Sequence, residues 1–416
     1  MILLTKRDEL QRQTIEKIIQ IAQQEGFPHI PIHIYDLDAI SAKTREFLAQ
    51  IPAVSKLAFA LKCNRDREVI QTLLEEGCTL EINNEQEADI AMQMGVPLEE
   101  TINSSPITPP HDLRYLLEHG VKSFCIDSAS QINQISREAR RLDANPHVYL
   151  RIDVSNVGSL FDLSRLGAHP SKAADLLNMA GDFGLIPEGL TFHVGSQCEN
   201  PDNWKKAIQT SSEIFSTMLK YGIELTVLDI GGGFPARYTE KSPLFSRVAS
   251  TINEALRDYI DRSVHIWAEP GRFLVADAGW TVCSITQLDE SFKEEGKTIG
   301  RATINYSAFS GLTELFECDH FTYPIYAHTQ PNNERSEMIG IYDIIGSSCA
   351  GTDYIARGVQ LQRLAEGDAI IIALTGAYNQ DAYGNLDKNL RTFNGANFAK
   401  KVYVRKGKVF APSTES

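Results

Sequence analysis

Residues 57–62 read Leu57-Ala58-Phe59-Ala60-Leu61-Lys62, an apolar run that ends in a single charged residue. A short, continuously apolar run predicts a strand that is buried on both faces, as strands of parallel sheets are. The segment that follows carries apolar residues at helical spacing, at Val69, Ile70, Leu73 and Leu74. This spacing predicts an amphipathic helix. A strand followed by a helix is the repeating unit of an α/β fold.

The same strand–helix unit recurs eight times between about residues 36 and 280. The later strands are predicted to end near Glu81, Ser105 and Asp127 and to cover 148–153, 189–193, 225–229 and 264–269. Helical patterns lie between them, for example over 203–221 and 245–262. Eight such units are what a (β/α)8 barrel requires, so the sequence predicts an α/β chain with a TIM-like barrel over 36–280.

Polar residues or glycine stand at or just beyond the C-terminal ends of these strands. They are Lys62, Glu81, Asp127, Arg151, His193, Gly231 and Glu269. In a barrel the C-terminal ends of the strands form one rim, which is where active sites are built. We therefore expect these residues to converge on one pocket. An open, doubly wound sheet is the structural alternative, but it would not gather all seven.

After residue 280 the pattern changes to short β-rich stretches that are separated by Gly, Asn and Asp clusters. These stretches are 281–286, 302–306, 337–342 and 369–374. They predict a C-terminal antiparallel β domain, which the early run 29–35 is expected to join. We accordingly assign 36–280 to the barrel and assign 1–35 with 281–416 to a β-rich domain that contributes to the active site.

The composition excludes several classes of protein. The net charge of the 416 residues is −14, and no stripe of Lys and Arg is present, so we expect no nucleic-acid surface. No apolar run approaches the ~20 residues of a membrane span, and the first residues lack the apolar core of a signal peptide. The seven cysteines are scattered, without a C-x-x-C pair. This pattern favours a cytoplasmic protein over a disulfide framework or a zinc site.

Each rim residue allows a functional and a structural interpretation when it is taken alone. A lysine in the position of Lys62 can form a Schiff base in a sheltered site, or its side chain can reach solvent from a strand end. Gly231-Gly232-Gly233 can present backbone N–H groups to an anion or can form a simple tight turn. In Glu269-Pro270-Gly271-Arg272, the acid can face an electron-deficient ring nitrogen and the arginine can pair with a phosphate. The two residues can equally form a structural pair.

Two further segments carry candidate residues. His193 ends an apolar strand and can stack on a flat cofactor, with Ser196 near the phosphate, or it can be a hydrogen-bonded core histidine. Cys349 lies in Gly346-Ser347-Ser348-Cys349-Ala350-Gly351-Thr352-Asp353. Small residues of this kind suit a functional loop, although a single cysteine is usually an inert, small apolar residue.

Together and in this order, these segments resemble the ornithine/diaminopimelate/arginine decarboxylase family, the fold-type III pyridoxal-phosphate enzymes. The resemblance covers about residues 30–405. Its motifs are Ala60-Leu61-Lys62-Cys63-Asn64, His193-Val194-Gly195-Ser196, Gly231-Gly232-Gly233-Phe234-Pro235, Glu269-Pro270-Gly271-Arg272, Cys349-x-x-x-Asp353 and Gly376-Ala377-Tyr378. It implies the alanine-racemase/ornithine-decarboxylase-like fold and the cofactor pyridoxal 5'-phosphate.

The resemblance also implies a role for each matching residue. Lys62 would hold the cofactor as a Schiff base, Glu269 would keep the pyridine nitrogen protonated, and His193 would stack on the ring. The phosphate would be surrounded by Ser196, Gly231, Gly232, Gly233, Gly271, Arg272 and Tyr378, with Arg151, Glu81 and Glu87 in support. Members of the family are typically homodimers with shared active sites. Cys349 and Asp353 would therefore come from the partner subunit, with Cys349 as the proton donor.

The substrate-facing positions depart from the family pattern. Family members carry an acid directly after the cysteine, where this chain has Ala350. Asp319 aligns with a second family aspartate, so one carboxylate still favours a basic side chain, and Asp353 and Cys349 would also contact the substrate. We expect a decarboxylase of an ornithine- or lysine-like amino acid that belongs to polyamine biosynthesis. A modified or carrier-linked amino acid, or diaminopimelate, is the alternative substrate.

Three other functions compete with decarboxylation. A racemase of the same fold would carry an arginine near the pyridine nitrogen, and Glu269 argues against that. A non-catalytic regulatory homologue that acts by binding a protein would usually lose its cofactor residues, and those are present here. A metal-dependent barrel hydrolase needs convergent His and carboxylate ligands, but His193 is the only histidine at a predicted strand end, so we expect no metal.

Overall fold

The computed structural model describes residues 6–291, 293–294, 297–329, 338–379 and 398–411. Helices α1 to α11 span, in order, Lys6–Gln24, Leu37–Gln50, Arg67–Glu75, Glu85–Gln93, Pro110–Glu118, Ala129–Arg141, Ala173–Asp182, Asp202–Lys220, Phe245–Tyr259, Arg272–Val275 and Glu314–Glu317. Strands β1 to β11 span Ile32–Asp36, Val54–Ala60, Thr79–Glu81, Ile102–Asn103, Ser123–Ile126, His147–Ile152, Ser159–Phe161, Ile186–Phe192, Ser196–Cys198, Val227–Asp229 and His265–Ala268. Strands β12 to β21 span Gly279–Asp289, Lys293–Glu294, Lys297–Thr298, Gly300–Ile304, Ile325–His328, Ile339–Ile345, Tyr354–Gln362, Ala369–Ala373, Lys400–Arg405 and Lys408–Phe410.

The chain divides into two compact units. One unit covers Ser41–Leu274, and the other combines Met1–Ile40 with Val275–Ser416. The limits that the sequence predicts fall at residue 36, which is the last residue of β1, and at residue 280, which is the second residue of β12. Within the described ranges, none of the helices is both long and apolar enough to span a lipid bilayer.

The unit Ser41–Leu274 is built around a closed barrel of eight parallel strands. Their order around the barrel is β10-β11-β2-β3-β4-β5-β6-β8. Ala58, Ile102, Val227 and Trp267, from four different strands, form a buried cluster. Such a cluster shows that the barrel is filled by side chains, as the interiors of small barrels are. The predicted (β/α)8 barrel is therefore confirmed.

A cluster of aromatic rings holds the helices around the loop that follows β10. Phe234, directly after the three glycines, stacks on Trp204 of α8 with ring centroids 5.1 Å apart. Phe47 of α2 meets the same ring edge-on at 4.8 Å, and it stacks on Phe245 of α9 at 5.3 Å. Aromatic pairs at these distances contribute packing energy beyond their buried area. The glycine loop is thus anchored on its C-terminal side by a rigid apolar contact.

The other unit is centred on a mixed β-sheet. Its main path runs β18-β17-β15-β12-β1-β20-β21, and β19 pairs with both β12 and β16. The early run 29–35 joins it as β1, as predicted, beside β12. Residue 337 of the predicted strand 337–342 lies outside the described residues, and the strand β17 begins at Ile339.

The β domain is confirmed, but it is not antiparallel throughout. β1 pairs with β20 in parallel, and β15 pairs with β17 in parallel. The alternation of side chains along a strand is the same whichever way its neighbour runs. The sequence pattern therefore identifies the strands without fixing the direction of partners that are far apart along the chain.

The closure of the barrel depends on one close approach between strands. Gly189 of β8 lies opposite Val227 of β10, and a Cβ at Gly189 would fall on the Val227 carbonyl group. We expect Gly189→Ala to lower the free energy of unfolding by about 1–3 kcal/mol, because β8 and β10 must separate to admit the methyl group. Urea denaturation followed by fluorescence measures the change.

Gly181→Ala is the matched control. Gly181 lies in α7, and a Cβ there would meet nothing within 4 Å. Alanine favours a helix over glycine, so this variant should be about 0.5–1 kcal/mol more stable than the wild type. Equal effects of the two substitutions would show that β8 and β10 do not meet in the register described.

Candidate active site

Lys62 lies directly after β2, in the short 3₁₀ turn Leu61–Cys63. Its Nζ is 3.4 Å and 3.5 Å from the two carboxylate oxygens of Glu81, which ends the neighbouring strand β3. The Lys62 side chain is 49% exposed, whereas that of Glu81 is fully buried. A buried carboxylate therefore holds an accessible amine at the rim of the barrel.

A chain of hydrogen bonds fixes the Glu81 carboxylate from behind. The Asn83 side-chain amide donates to Glu81 Oε1 at 2.5 Å, and the Asn83 backbone N–H donates to Glu87 Oε2 at 2.7 Å. Arg65 Nη2 donates to Glu87 Oε1 at 2.6 Å. Burial and the charge of Glu81 raise the pKa of Glu87, an effect that the Arg65 guanidinium opposes. The orientation of the acid beside Lys62 is thus set by groups on two loops.

A second carboxyl pair lies at the ends of β10 and β11. Burial, and then the negative charge of Asp229, raise the pKa of Glu269 well above its usual range. Burial likewise raises the pKa of Asp229 to about 6. The two side chains are hydrogen-bonded to each other, and Ser104 Oγ donates to Glu269 Oε1. The pair therefore retains a proton to a higher pH than a solvated carboxyl does, and a cation beside Glu269 would favour its ionised form.

His193 and Arg151 stand on neighbouring strand ends of the same rim. Burial, and then the positive charges of Arg151 and Lys62, lower the pKa of His193 well below its usual range, so the ring is neutral. Its Nδ1 accepts a hydrogen bond from the Gly195 N–H at 3.1 Å, which leaves the ring proton on Nε2. Arg151 is only 8% exposed, and within the described part of the chain its Nε has no hydrogen-bond partner. A buried cation of this kind suits an anionic or electron-rich ligand.

The glycine loop and Arg272 form a polar cradle. Gly231 and Gly233 adopt φ of +66° and +89°, a region that side chains other than glycine rarely enter. A Cβ at Gly232 would come within 2.7 Å of the Glu269 carbonyl oxygen. Arg272 Nη2 donates to Ser196 Oγ at 3.0 Å. An arginine and a hydroxyl beside backbone that only glycine can follow are groups that suit a phosphate.

Asp127 serves a different purpose from the other rim residues. Its Oδ2 accepts a hydrogen bond from the Gly167 N–H at 3.2 Å, so it ties down the segment between β7 and α7. Lys62, Glu81, Arg151, His193, Gly231 and Glu269 all lie at strand ends of the one barrel, as the sequence predicts.

The remaining predicted residues belong to the mixed-sheet unit. Cys349 is exposed in the loop between β17 and β18, and Asp319 is exposed after α11. Asp353, at the end of the same loop as Cys349, is fully buried. Tyr378 adopts φ of +50°, and the next residue, Asn379, is held by hydrogen bonds to the Tyr35 hydroxyl and the Thr375 carbonyl, both 2.7 Å long.

Sequence reasoning missed four residues of the site. Ser104 lies beside the predicted strand end at Ser105, and Asp229 ends the predicted strand 225–229. A search that takes every polar residue at each strand end, and not one residue for each strand, finds both. Asn83, which orients Glu81, and Tyr238, whose hydroxyl accepts from Arg272 Nη1 at 3.3 Å, lie in loops. No periodic pattern points to a loop residue, and only the fold brings these two into the site.

Comparison with known proteins adds independent support. Residues 37–276 match the family model described as pyridoxal-dependent decarboxylase, pyridoxal binding domain. The chain is 29% identical over 389 residues to antizyme inhibitor 2 of Xenopus laevis, covering 91% of this chain and 82% of that protein. It is 28% identical over 383 residues to ornithine decarboxylase of Mus musculus, covering 89% and 80%.

Solved structures show the same architecture. Lysine/ornithine decarboxylase from Vibrio vulnificus, complexed with putrescine, superposes with a TM-score of 0.79 and is 27% identical, covering 97% of this chain and 99% of that one. Arginine decarboxylase of Paramecium bursaria Chlorella virus has the same fold, with a TM-score of 0.81 at 22% identity, covering 94% and 100%.

Pyridoxal 5'-phosphate is the cofactor typical of this family, and the residues at the rim fit it. The accessible amine of Lys62 suits an aldehyde, the cradle beside Arg272 suits a phosphate, and the carboxyl of Glu269 suits a protonated ring nitrogen. The family match covers 37–276, which is more than half of the chain. The chain belongs to the pyridoxal-dependent decarboxylase family.

Proposed function

We propose that this protein is an active decarboxylase that holds pyridoxal 5'-phosphate on Lys62 and releases CO2 from an amino acid with a basic side chain. The observation that carries the proposal is that one rim holds both an accessible amine and a buried carboxyl group whose pKa is raised. Lys62 lies against Glu81, and Glu269 lies against Asp229. Relatives named ornithine decarboxylase and lysine/ornithine decarboxylase support the substrate class.

Each residue of the rim has a defined task in this proposal. Lys62 Nζ would hold the cofactor as a Schiff base, and Glu81 keeps that amine directed across the rim. Arg272, Ser196 and the glycine loop would hold the phosphate, and the neutral ring of His193 would stack on the pyridine. When bound, pyridoxal phosphate supplies an electron sink for the pair of electrons that remains when CO2 departs.

Two residues have roles in holding or supplying protons in this proposal. Glu269 would keep the pyridine nitrogen protonated, because a carboxylate facing that atom stabilises its cationic form. Asp229 and Ser104 keep Glu269 in place. In a homodimer with shared active sites, Cys349 of the partner subunit would supply the proton that replaces CO2.

The substrate's side chain is recognised by Asp319 in this proposal. One carboxylate favours a distal amine such as that of ornithine or lysine. Ala350, in place of an acid, removes a second negative charge and leaves room beside the cysteine. A larger modified or carrier-linked amino acid is therefore the second candidate, and diaminopimelate is a further one.

A non-catalytic regulator is the alternative of another class. The relative named antizyme inhibitor 2 favours it. The presence of Lys62, His193, Glu269, Arg272 and Cys349 favours catalysis, because a protein that acts only by binding a partner has no need of a complete cofactor site.

The covalent link to Lys62 is directly testable. We expect Lys62→Ala to abolish the visible Schiff-base absorbance of the protein incubated with pyridoxal phosphate, because the attaching amine is gone. Borohydride reduction of the wild type should place the cofactor's mass on the peptide that contains Lys62. Lys56→Ala is the matched control, since Lys56 is on β2, the strand that Lys62 follows, and its Nζ lies 4.2 Å from the centre of the Trp267 ring. Absorbance that survives in Lys62→Ala would refute the assignment.

The carboxyl pair predicts an unusual pH dependence of stability. The pKa of Asp229 is raised to about 6 in the folded chain, against about 3.9 when unfolded. The folded chain then binds more protons than the unfolded chain between these values, so stability falls as pH rises through this window. We expect Asp229→Asn to be more stable than the wild type at pH 8 and equally stable at pH 4, in cofactor-free protein.

Urea denaturation at the two pH values measures this difference. The asparagine Oδ1 can still accept the Gly231 N–H that Asp229 Oδ1 accepts at 2.8 Å, so the substitution preserves the turn. A variant that is destabilised equally at pH 4 and pH 8 would contradict the account of a buried carboxyl pair.

The reaction itself is tested by CO2 release from a panel of amino acids. The panel contains L- and D-ornithine, lysine, arginine, diaminopimelate and amino acids modified at the distal amine. We expect release from ornithine or lysine, and we expect Asp319→Asn to lower kcat/KM for it about tenfold or more through a higher KM, because a charge partner is lost. Release from modified amino acids alone would select the second candidate. No release from any of them, with the cofactor bound, would favour the regulator.

A further inference from the structure

The loop that carries Cys349 is the connection between β17 and β18. The two strands are antiparallel, and Ile345 and Tyr354 are their last paired residues before the loop. The Gly346 N–H donates to the Asp353 carbonyl at 2.8 Å, which closes the base of the loop. Cys349 lies near the tip and is exposed. The hydrogen bond at the base of the loop does not fix the Cys349 thiol at its tip. Other contacts must hold the thiol in position.

The Asp353 carboxylate accepts hydrogen bonds both from its own loop and from residues 307–308. Its Oδ2 accepts from the Ser348 N–H at 2.9 Å and from Ser307 Oγ at 2.7 Å. Its Oδ1 accepts from the Ala308 N–H at 2.8 Å. One carboxylate thus binds the residue next to Cys349 and a separate segment of the chain at the same time.

A backbone hydrogen bond joins the same two segments. The Ser347 N–H donates to the Tyr306 carbonyl at 3.0 Å, so residues 347–348 are tied to 306–308 at several points. Ala308 begins the 3₁₀ turn Ala308–Ser310. Phe309 of that turn stacks on Phe316 of α11, with ring centroids 4.5 Å apart. The anchored segment therefore continues as a packed unit towards Asp319.

The burial of Asp353 separates an anchoring role from a substrate-binding one. Its relative exposure is 0%, and three hydrogen bonds already satisfy its two oxygens. A Cβ at Gly346 would fall on this carboxylate, so the site has no spare room. A substrate amine could reach Asp353 only if the loop opened and broke these bonds.

We infer that Asp353 is a positioning residue, which fixes the Cys349 loop against the 306–308 segment and thereby sets the thiol relative to the chain that leads to Asp319. The inference rests on the proposed function only where Cys349 acts as the proton donor. The anchoring itself follows from the contacts of the Asp353 carboxylate with Ser307, Ala308 and Ser348.

The carboxylate cannot be replaced by an amide without loss. Asparagine has one acceptor oxygen, and its NH2 group would face either the Ala308 N–H or the Ser348 N–H, so that two donors oppose each other. Asp353→Asn is therefore the principal variant. Ser307→Ala, which removes a single hydroxyl donor, is the milder one. Asp343→Asn is the matched control, because Asp343 is a buried aspartate of β17 that accepts the Gly358 N–H at 2.9 Å.

The first measurement is hydrogen exchange in the full-length, cofactor-loaded protein. In Asp353→Asn we expect the peptides that cover 346–353 and 306–310 to exchange at least about fivefold faster, because one N–H loses its acceptor and the other keeps only a neutral one. Ser307→Ala should show a smaller change in the same two peptides, and Asp343→Asn should show none there. Unchanged exchange in both peptides of Asp353→Asn would overturn the inference.

The second measurement separates positioning from substrate contact. With a substrate that the wild type decarboxylates, Asp353→Asn should lower kcat about tenfold and leave KM within about twofold, since a misplacement of about 1 Å can cost about a hundredfold in rate. Asp343→Asn should leave both constants within about twofold. A raised KM with unchanged kcat would make Asp353 a substrate ligand and overturn the inference. If the wild type releases no CO2, the proposed function fails, and the exchange data still decide whether Asp353 anchors the loop.

Discussion

The buried Glu269–Asp229 carboxyl pair is the constraint on which the rim of the barrel depends. Two acids that face each other without full solvation cannot both be ionised near neutral pH, so one of them keeps a proton. In this chain burial and the negative charge of Asp229 both raise the pKa of Glu269. The positive charges of Lys62 and Lys56 lower the pKa values of Glu269 and Asp229, but burial outweighs them. A ring nitrogen that becomes cationic when it faces Glu269 is the group that this arrangement is suited to accept.

The barrel brings other functional residues next to this carboxyl pair. Parallel strands place their C-terminal ends on one rim, so Lys62, Glu81, His193 and Glu269 meet although they are far apart in sequence. The neutral ring of His193 adds no charge to this group. The close approach of β8 and β10, and the aromatic cluster behind the glycine loop, keep the strand ends in register. The positions of the rim residues therefore depend on the packing of the barrel strands and of the aromatic cluster.

The sequence predicts what depends on strand ends and misses what depends on loops and on strand direction. The eight barrel strands and most of the rim residues follow from apolar runs that end in a polar residue. The parallel pairing of β1 with β20 does not, because side-chain alternation is independent of direction. Asn83 lies in a loop, where no period applies. The place of Asp353 in a motif predicts a substrate contact, and only the structure shows that its carboxylate is buried among its own neighbours.

The protonation state of the pyridine nitrogen tests the central claim most directly. The measurement is ¹⁵N NMR of the protein loaded with pyridoxal phosphate that is labelled at the ring nitrogen. The account predicts a protonated nitrogen across the neutral pH range, with the signal moving towards the unprotonated position in Glu269→Gln. An unprotonated nitrogen in the wild type at neutral pH would contradict the account, because the Glu269–Asp229 pair would then have no cationic partner.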